Sequence, residues 1–300
     1  MGLWLFQKPL KPLVLSSNET KKPYFMKTKE LKQKLWSYVG VGLLMSFGNI
    51  SGIAQNTSMP KDSAAMYYEV EDIPLPDGLI AETGSIGFLP DGRFVAGFHR
   101  GEIMIYNPKT RTWKRFAEGL HDPLGLMVVS NNEILVMQRP ELTRIKDTDG
   151  DGEADLYQKV TDDFGLSGNY HEFAFGPVKD KQGNLFIALN LASNGAGIRP
   201  EIRGTYDSLS RPGRMYACVD YRGWIMRLDK QGKLHPYAVG FRSPNGLGFD
   251  AQGRLLVSDN QGDWLGTSKL FHVEECKFYG HPAGLIWKKD FPRVVPISLP

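Results

Sequence analysis

An all-β fold is what this sequence predicts, on three observations. A short phrase recurs along the chain: an apolar run of strand length, a polar turn, then a second apolar run. Glycine is frequent, at 33 of 300 residues, and aromatic residues make up 11%, which suits a turn-rich β protein better than a helical bundle. No long apolar stripe of period 3.6 competes with this pattern.

The first copy of the phrase runs 86–89, turns at 90–92 through Asp91 and Gly92, and returns at 94–96. The second runs 124–128, turns at 130–132 and returns at 134–136. A third occupies 173–175, 181–183 and 185–188, and a fourth 247–249, 250–253 and 255–257. Two strand-length apolar runs joined by a Gly- or Asn-containing turn read as a β-hairpin. Each hairpin is followed by a further strand candidate, at 103–106, 142–145, 224–228 and 269–273. A constant phrase at unequal spacings predicts four-stranded units carrying loop insertions, the signature of a β-propeller. Four blades are expected, at 70–120, 121–165, 171–240 and 242–300. An unclosed ring leaves an apolar sheet face uncovered, so the chain reads as C-terminally incomplete or as a ring closed in a way the sequence does not show; six blades are expected of a complete protein.

Composition bounds the rest. A hydrophobic content of 41% supports a large core, and a formal charge of +3, much of it carried by the first 40 residues, gives nucleic-acid binding no support. Cys218 and Cys276 are too few for a disulfide scaffold and read either as one bridge or as two buried thiols; no CxxCH haem-attachment motif is present. From Met26 a basic stretch leads into an apolar run at 35–47, and Gly52 and Ala54 supply the small residues of a cleavage site before Gln55. This is the pattern of a secretory signal peptide. An uncleaved anchor is the rival reading and the only route to a membrane. Residues 1–25 read as a misplaced start, 55–68 as a linker and 69–300 as the propeller domain. A periplasmic or secreted location follows.

In a propeller blade the innermost strand starts at one face and the second strand returns to it. Residues just before the first strand and just after the second therefore share one rim. That rule collects Glu82, His121, Asp122, His171, Glu172, Arg242 and Asn245 from the first position. From the second it collects His99, Arg100, Gln138, Arg139, Asn190, Asp259 and Asn260. Loops held on a rigid frame favour binding sites, so His121, Asp122, Arg242, Asn245, Asp259 and Asn260 are expected to bind a cofactor. His171 stands immediately before an inner strand and is the candidate base, its ordinary pKa near 6.5 suiting proton abstraction; a structural histidine between blades is the bland alternative. The insertion at 191–222 carries Arg199, Arg203, Arg211, Arg214 and Arg222. It reads either as a cationic lid over an anionic ligand or as a solvated surface loop.

The sharpest local motif is Asp147-Thr-Asp149-Gly-Asp151-Gly152-Glu153-Ala-Asp155. Carboxylates at alternate positions with glycine sixth make an oxygen cage for Ca²⁺, with Glu153 offering its carbonyl and Asp155 a side chain or a bound water. Gln158 stands where an EF-hand has its bidentate glutamate, so a structural calcium loop between strands is expected.

The stretch Gly240-Phe-Arg242-Ser-Pro-Asn245-Gly-Leu-Gly-Phe249, the histidine-led hairpin at 169–190 and the Asp-rich loop together resemble the soluble quinoprotein glucose/sorbosone dehydrogenase propellers. The likeness spans 70–285 and is nearest to their membrane-bound dehydrogenase-type branch. It implies that His171 takes a hydroxyl proton while hydride passes to pyrroloquinoline quinone (PQQ), and that Arg242 binds the quinone. It also implies a sugar or polyol substrate and a cytochrome as electron acceptor. Ser243 departs from the family's Asn after the arginine, and Glu172 follows the histidine. A second likeness, carried by 244–249 and by Asp259, is to gluconolactonase-type metal-dependent hydrolases. There Asn190, Asn245 and Asp259 would hold a divalent ion that polarises a lactone and activates water. The third reading is a non-catalytic propeller binding carbohydrate or protein at the same rim.

Overall fold

A computed structural model describes residues 13–16, 70–198, 202–210, 213–263, 266–290 and 295–296. Apart from 13–16, the expected leader and linker lie outside the described residues, as do Arg199 and Arg211. The chain divides into two compact units, Met1–Asp77 and Gly78–Pro300. In the first, β1 (Leu13–Ser16) pairs in parallel with β2 (Glu71–Pro74).

The second unit is built of antiparallel sheets that stand as the four blades of a β-propeller. β3 (Thr83–Phe88), β4 (Phe94–Phe98), β5 (Ile103–Asn107) and β6 (Thr112–Ala117) pair in sequence order. So do β7 (Gly125–Ser130), β8 (Glu133–Met137), β9 (Leu142–Lys146) and β10 (Leu156–Thr161). The third blade begins with β11 (Ala174–Lys179) and β12 (Leu185–Leu189). An insertion then forms its own small ladder, β13 (Ala192–Ser193) with β14 (Met215–Tyr216), before β15 (Trp224–Leu228) and β16 (Leu234–Val239) complete the sheet. The fourth comprises β17 (Pro244–Phe249), β18 (Leu255–Asp259) and β19 (Lys269–Val273).

The fourth blade departs from the four-stranded expectation among the described residues. After β19, β20 (Lys277–Phe278) crosses to the outer edge of the third sheet and runs parallel to β16. The Tyr279 N–H donates to the Val239 carbonyl (2.8 Å) and the Cys276 N–H to that of Tyr237 (2.8 Å). These bonds satisfy backbone groups of an edge strand that would otherwise stand open. β21 (Val295–Pro296) pairs with β20, and a 3₁₀ helix spans Pro282–Asp290.

The inner strands β3, β7, β11 and β17 pack side by side in that order. The approach of β7 to β11 is close enough to require glycine: a Cβ at Gly125 would fall 1.7 Å from the Gly176 carbonyl oxygen. The strands β4, β8 and β12 are covered on both faces, which is why every residue of β4 is buried although a one-sided sheet would alternate, as β18 does. The core lies between blades, as where Val95, Ile103 and Ile105 meet Ile134, Val136 and Ile145. Each such side chain contributes about 1.5–3 kcal/mol on burial. No disulfide joins Cys218 and Cys276. Among the described residues no helix is long and apolar enough to cross a membrane.

Candidate functional site

Four hairpin registers bring the rim residues to one end of the blades. Thr83 faces Phe98, Gly125 faces Met137, Ala174 faces Leu189 and Pro244 faces Asp259. Backbone bonds extend the pairing beyond the strands: the His99 N–H donates to the Glu82 carbonyl (2.9 Å), Arg139 to His121 (3.1 Å) and Asn190 to Phe173 (2.9 Å). At this end opens a cleft of about 810 Å³. Of the residues singled out from sequence, His99, His171, Asn190, Arg242, Asn245, Asp259 and Asn260 line it, together with Tyr170, Phe173 and Lys269.

His171 is fixed by a clamp of hydrogen bonds. The Asn169 side chain is fully buried; its Oδ1 accepts the backbone N–H groups of His171 (3.1 Å) and Ser193 (3.1 Å), and its Nδ2 donates to the Ser193 and Ala196 carbonyls (3.0 and 2.7 Å). This clamp carries β13 to the histidine, where Ser193 Oγ meets His171 Nδ1 at 2.6 Å. In the tautomer a base requires, Nδ1–H donates to that hydroxyl and Nε2 keeps its lone pair for the cleft. Burial, then the positive charges of Arg242 and Arg139, hold the His171 pKa below its usual 6.5, so the ring is neutral at neutral pH.

The Arg242 turn is held from beneath by Asp259, a carboxylate only 3% exposed. Its oxygens accept the backbone N–H groups of Arg242 (3.1 Å) and Ser243 (2.7 Å), with Lys269 Nζ 3.9 Å away. Burial nevertheless raises its pKa, against the pull of those bonds. Asn190 Nδ2 donates to Ser243 Oγ (3.0 Å), and the Leu191 N–H to the Arg242 carbonyl (3.0 Å). Two buried atoms in this region, Arg242 Nε and Asn190 Oδ1, have no partner. A buried unpaired donor or acceptor costs about 1–3 kcal/mol, and a ligand in the cleft is the natural way to satisfy these two.

Other predicted residues fall elsewhere. The His121 side chain is 61% exposed and does not line the cleft; Gln138 Oε1 accepts its backbone N–H (2.6 Å). Asp122 contacts the ring of His99 and is not itself on the cleft wall. Glu172, expected on the rim, is fully buried and accepts the Ser167 N–H and hydroxyl (2.7 Å each). Glu82 and Arg100 form a loose exposed pair at 3.9 Å. The described arginines of the 191–222 insertion form no cationic lid. Arg203 donates to the Phe164 and Pro140 carbonyls, Arg214 pairs with Asp263 (2.7 Å), and the buried Arg222 donates to the carbonyls of Gly165, Glu172 and Phe173. For Arg203 and Arg222 the fork geometry is taken up by nearby backbone.

In the acidic loop, carboxylate oxygens of Asp147, Asp149 and Asp151 lie within 4.8 Å of one another. Asp147 also accepts the Gly150 and Gly152 N–H groups (2.6 and 2.9 Å), and the Glu153 N–H donates to Asp151 Oδ1 (2.8 Å). Asp155 turns to Thr148, accepting its N–H (3.0 Å) and hydroxyl (2.6 Å). Lys114 Nζ donates to the Asp151 carbonyl.

A family model described as "Domain of unknown function (DUF7133)" matches residues 109–282, more than half of the chain. The chain belongs to the DUF7133 family. No curated protein matches it. Among solved structures it is similar to a PQQ-bound aldose sugar dehydrogenase from Streptomyces coelicolor, at 15% identity over 73% of this chain and 72% of that one, with a TM-score of 0.48. It is also similar to a provisionally assigned oxidoreductase (glucose dehydrogenase) from Thermus thermophilus, at 18% identity, 67% and 65% coverage and a TM-score of 0.48. A provisionally assigned gluconolactonase gives 18% identity, 68% and 66% coverage and a TM-score of 0.43. The DUF7133 chain thus spans just under two thirds of the length of the last two.

Sequence reasoning missed Ser193, Asn169 and Lys269. Asn169 carried a signal, two residues ahead of the histidine. Ser193 carried none, because only the β13–β14 ladder brings the insertion back to the cleft.

Proposed function

We propose that the chain is a sugar- or polyol-oxidising propeller that acts outside the cytoplasm, with His171 as base and PQQ as cofactor. The observation that carries this reading is the pairing of His171 and Arg242. They come from neighbouring blades, line one cleft, and the guanidinium charge helps keep the imidazole unprotonated.

The residues present suit the quinone, which is planar and anionic. Arg242, with its unpartnered Nε, and Lys269 would meet its carboxylates, Asn245 and Asn260 its polar edge, and Tyr170 its ring face. When bound, it supplies the two-electron acceptor. His171 Nε2 receives the proton of the substrate hydroxyl, Ser193 holds the ring, and Asp259 fixes the turn that presents Arg242. A cytochrome would then take the electrons, and the leader read at 26–54 would deliver the domain to the periplasm. The three clustered carboxylates of the acidic loop would hold Ca²⁺ as a structural ion.

A second reading, metal-dependent lactone hydrolysis, is favoured by the unpartnered Asn190 Oδ1 in the same cleft as Asn245 and Asp259. It is weakened by Asp259, whose oxygens already accept two backbone N–H groups and face an ammonium. Dye-linked oxidation of aldoses by the chain, with PQQ and Ca²⁺ added, separates the readings. Quinone-dependent turnover lost in His171→Ala supports the oxidation; quinone-independent lactone hydrolysis supports the other.

A further inference from the structure

We propose that His99 is a second ligand-contacting imidazole, held by Asp122 and Arg139 so that its Nδ1 accepts a hydrogen bond from a hydroxyl of a polyhydroxylated ligand. The inference rests on the sugar reading of the cleft and adds a specificity-determining residue to it.

His99 follows β4 in the first blade and lines the cleft. Its Nε2 lies 2.7 Å from Asp122 Oδ1. A carboxylate accepts only, so the ring proton resides on Nε2 in the neutral ring and the remaining nitrogen, Nδ1, is an acceptor. Asp122 is itself tightly held. Its Oδ2 accepts Arg139 Nε at 2.7 Å and also contacts Nη2 of the same guanidinium, which is 4% exposed. Asp122 also adopts a left-handed backbone, φ 49°, a region that strains a residue carrying a Cβ. Such strain persists where the surroundings over-determine it, and it clusters at ligand sites.

The same guanidinium reaches the backbone that leads to the other imidazole. Arg139 Nη1 donates to the carbonyls of Asn169 (2.8 Å) and Tyr170 (2.7 Å), the two residues ahead of His171. One buried arginine thus ties together histidines from the first and third blades. Between them stands Phe173, its ring centroid 5.9 Å from His99, 6.5 Å from His171 and 4.7 Å from the Arg139 guanidinium carbon. An aromatic face flanked by two nitrogen acceptors is complementary to a pyranose or linear polyol, which offers C–H groups to the ring and hydroxyls to either side. A mono-alcohol meets only one acceptor. Asp122 and Arg139 act through His99 and are positioning residues.

Calorimetric titration of the full chain with D-glucose, L-arabinose and D-sorbitol tests this. His99→Ala is expected to weaken binding roughly five- to tenfold, the worth of one hydrogen bond, with the melting temperature unchanged and partial recovery in His99→Gln, whose amide oxygen restores an acceptor. Asp122→Asn offers Nε2 a donor, moves the ring proton to Nδ1 and is expected to weaken binding as His99→Ala does. Binding that His171→Ala weakens but that His99→Ala and Asp122→Asn leave unchanged overturns the assignment of His99 alone. Failure of the wild-type chain to bind all three probes overturns the sugar reading and this inference together. A loss in His99→Ala that tracks a fall in melting temperature, without recovery in His99→Gln, reduces His99 to a structural residue and also overturns it.

Discussion

Ser193 Oγ stands 2.6 Å from Nδ1 of His171, so the candidate base is oriented by a neutral hydroxyl. A carboxylate with no paired cation of its own would stabilise the imidazolium and raise its pKa. The hydroxyl fixes the ring without doing so, and leaves Arg242 and Arg139 free to keep it unprotonated.

Replacing Ser193 by Ala should therefore lower turnover of the quinone-reconstituted chain about tenfold while costing only about 1 kcal/mol of stability. Steady-state rates and urea unfolding measure the two. Equal, large losses in both would show that Ser193 supports the fold rather than the base.

The acid limb of the pH–rate profile should fall below pH 6.5, because burial and two cations disfavour the protonated ring. Arg242→Gln should move that limb upward, though not fully to 6.5, since burial is the larger cause. Stability follows the same sign. The unfolded chain takes up a proton at His171 near pH 6.5 and the folded chain only below it. This residue therefore subtracts stability as pH falls through 6.5 to the lowered folded value. A limb at or above 6.5 in the wild type would contradict the assignment.

Asp259→Asn should separate stability from binding. The raised pKa of Asp259 means its contribution is fully present below about 3.8 and is lost as pH rises through the higher folded value, so the ionised carboxylate is held at a cost at neutral pH. The amide relieves that cost but leaves one acceptor for two N–H groups. Urea unfolding should show a net loss under about 2 kcal/mol, smaller than for Asp259→Ala. Binding at the Arg242 turn should weaken more than stability does. Equal losses in the two variants would mean that the one acceptor kept by the amide carries no weight.

Millimolar Ca²⁺ should raise the melting temperature of the wild type, by the equivalent of about 2.7 kcal/mol at a hundredfold excess over Kd. Asp149→Asn with Asp151→Asn should abolish the shift, because both carboxylates belong to the cluster. An unchanged melting temperature with and without chelator would leave the loop an acidic turn.

The blades were legible because each hairpin repeats one phrase, and the order of its two runs sets both their pairing and the shared rim. That same rule put His171, Arg242, Asn245 and Asp259 at one end, where the structure has them. It could not see that Glu172 turns into the core to bind Ser167, since rim position says nothing of rotamer. The role of the arginine-rich insertion stayed open for a related reason: Arg203 and Arg222 satisfy carbonyls of the loops they cross, and such partners are remote in sequence. β20 likewise joins the third sheet through bonds to β16 that no local pattern records.

The central claim is that His171 and Arg242 serve a common ligand, and the most direct measurement is a titration of the chain with PQQ followed by quenching of tryptophan fluorescence. The account predicts saturable binding, weakened at least tenfold in Arg242→Gln and unchanged in Arg93→Gln, whose partner Asp91 lies in the turn between β3 and β4. Saturable binding that Arg242→Gln leaves intact, or no binding at all, would contradict it.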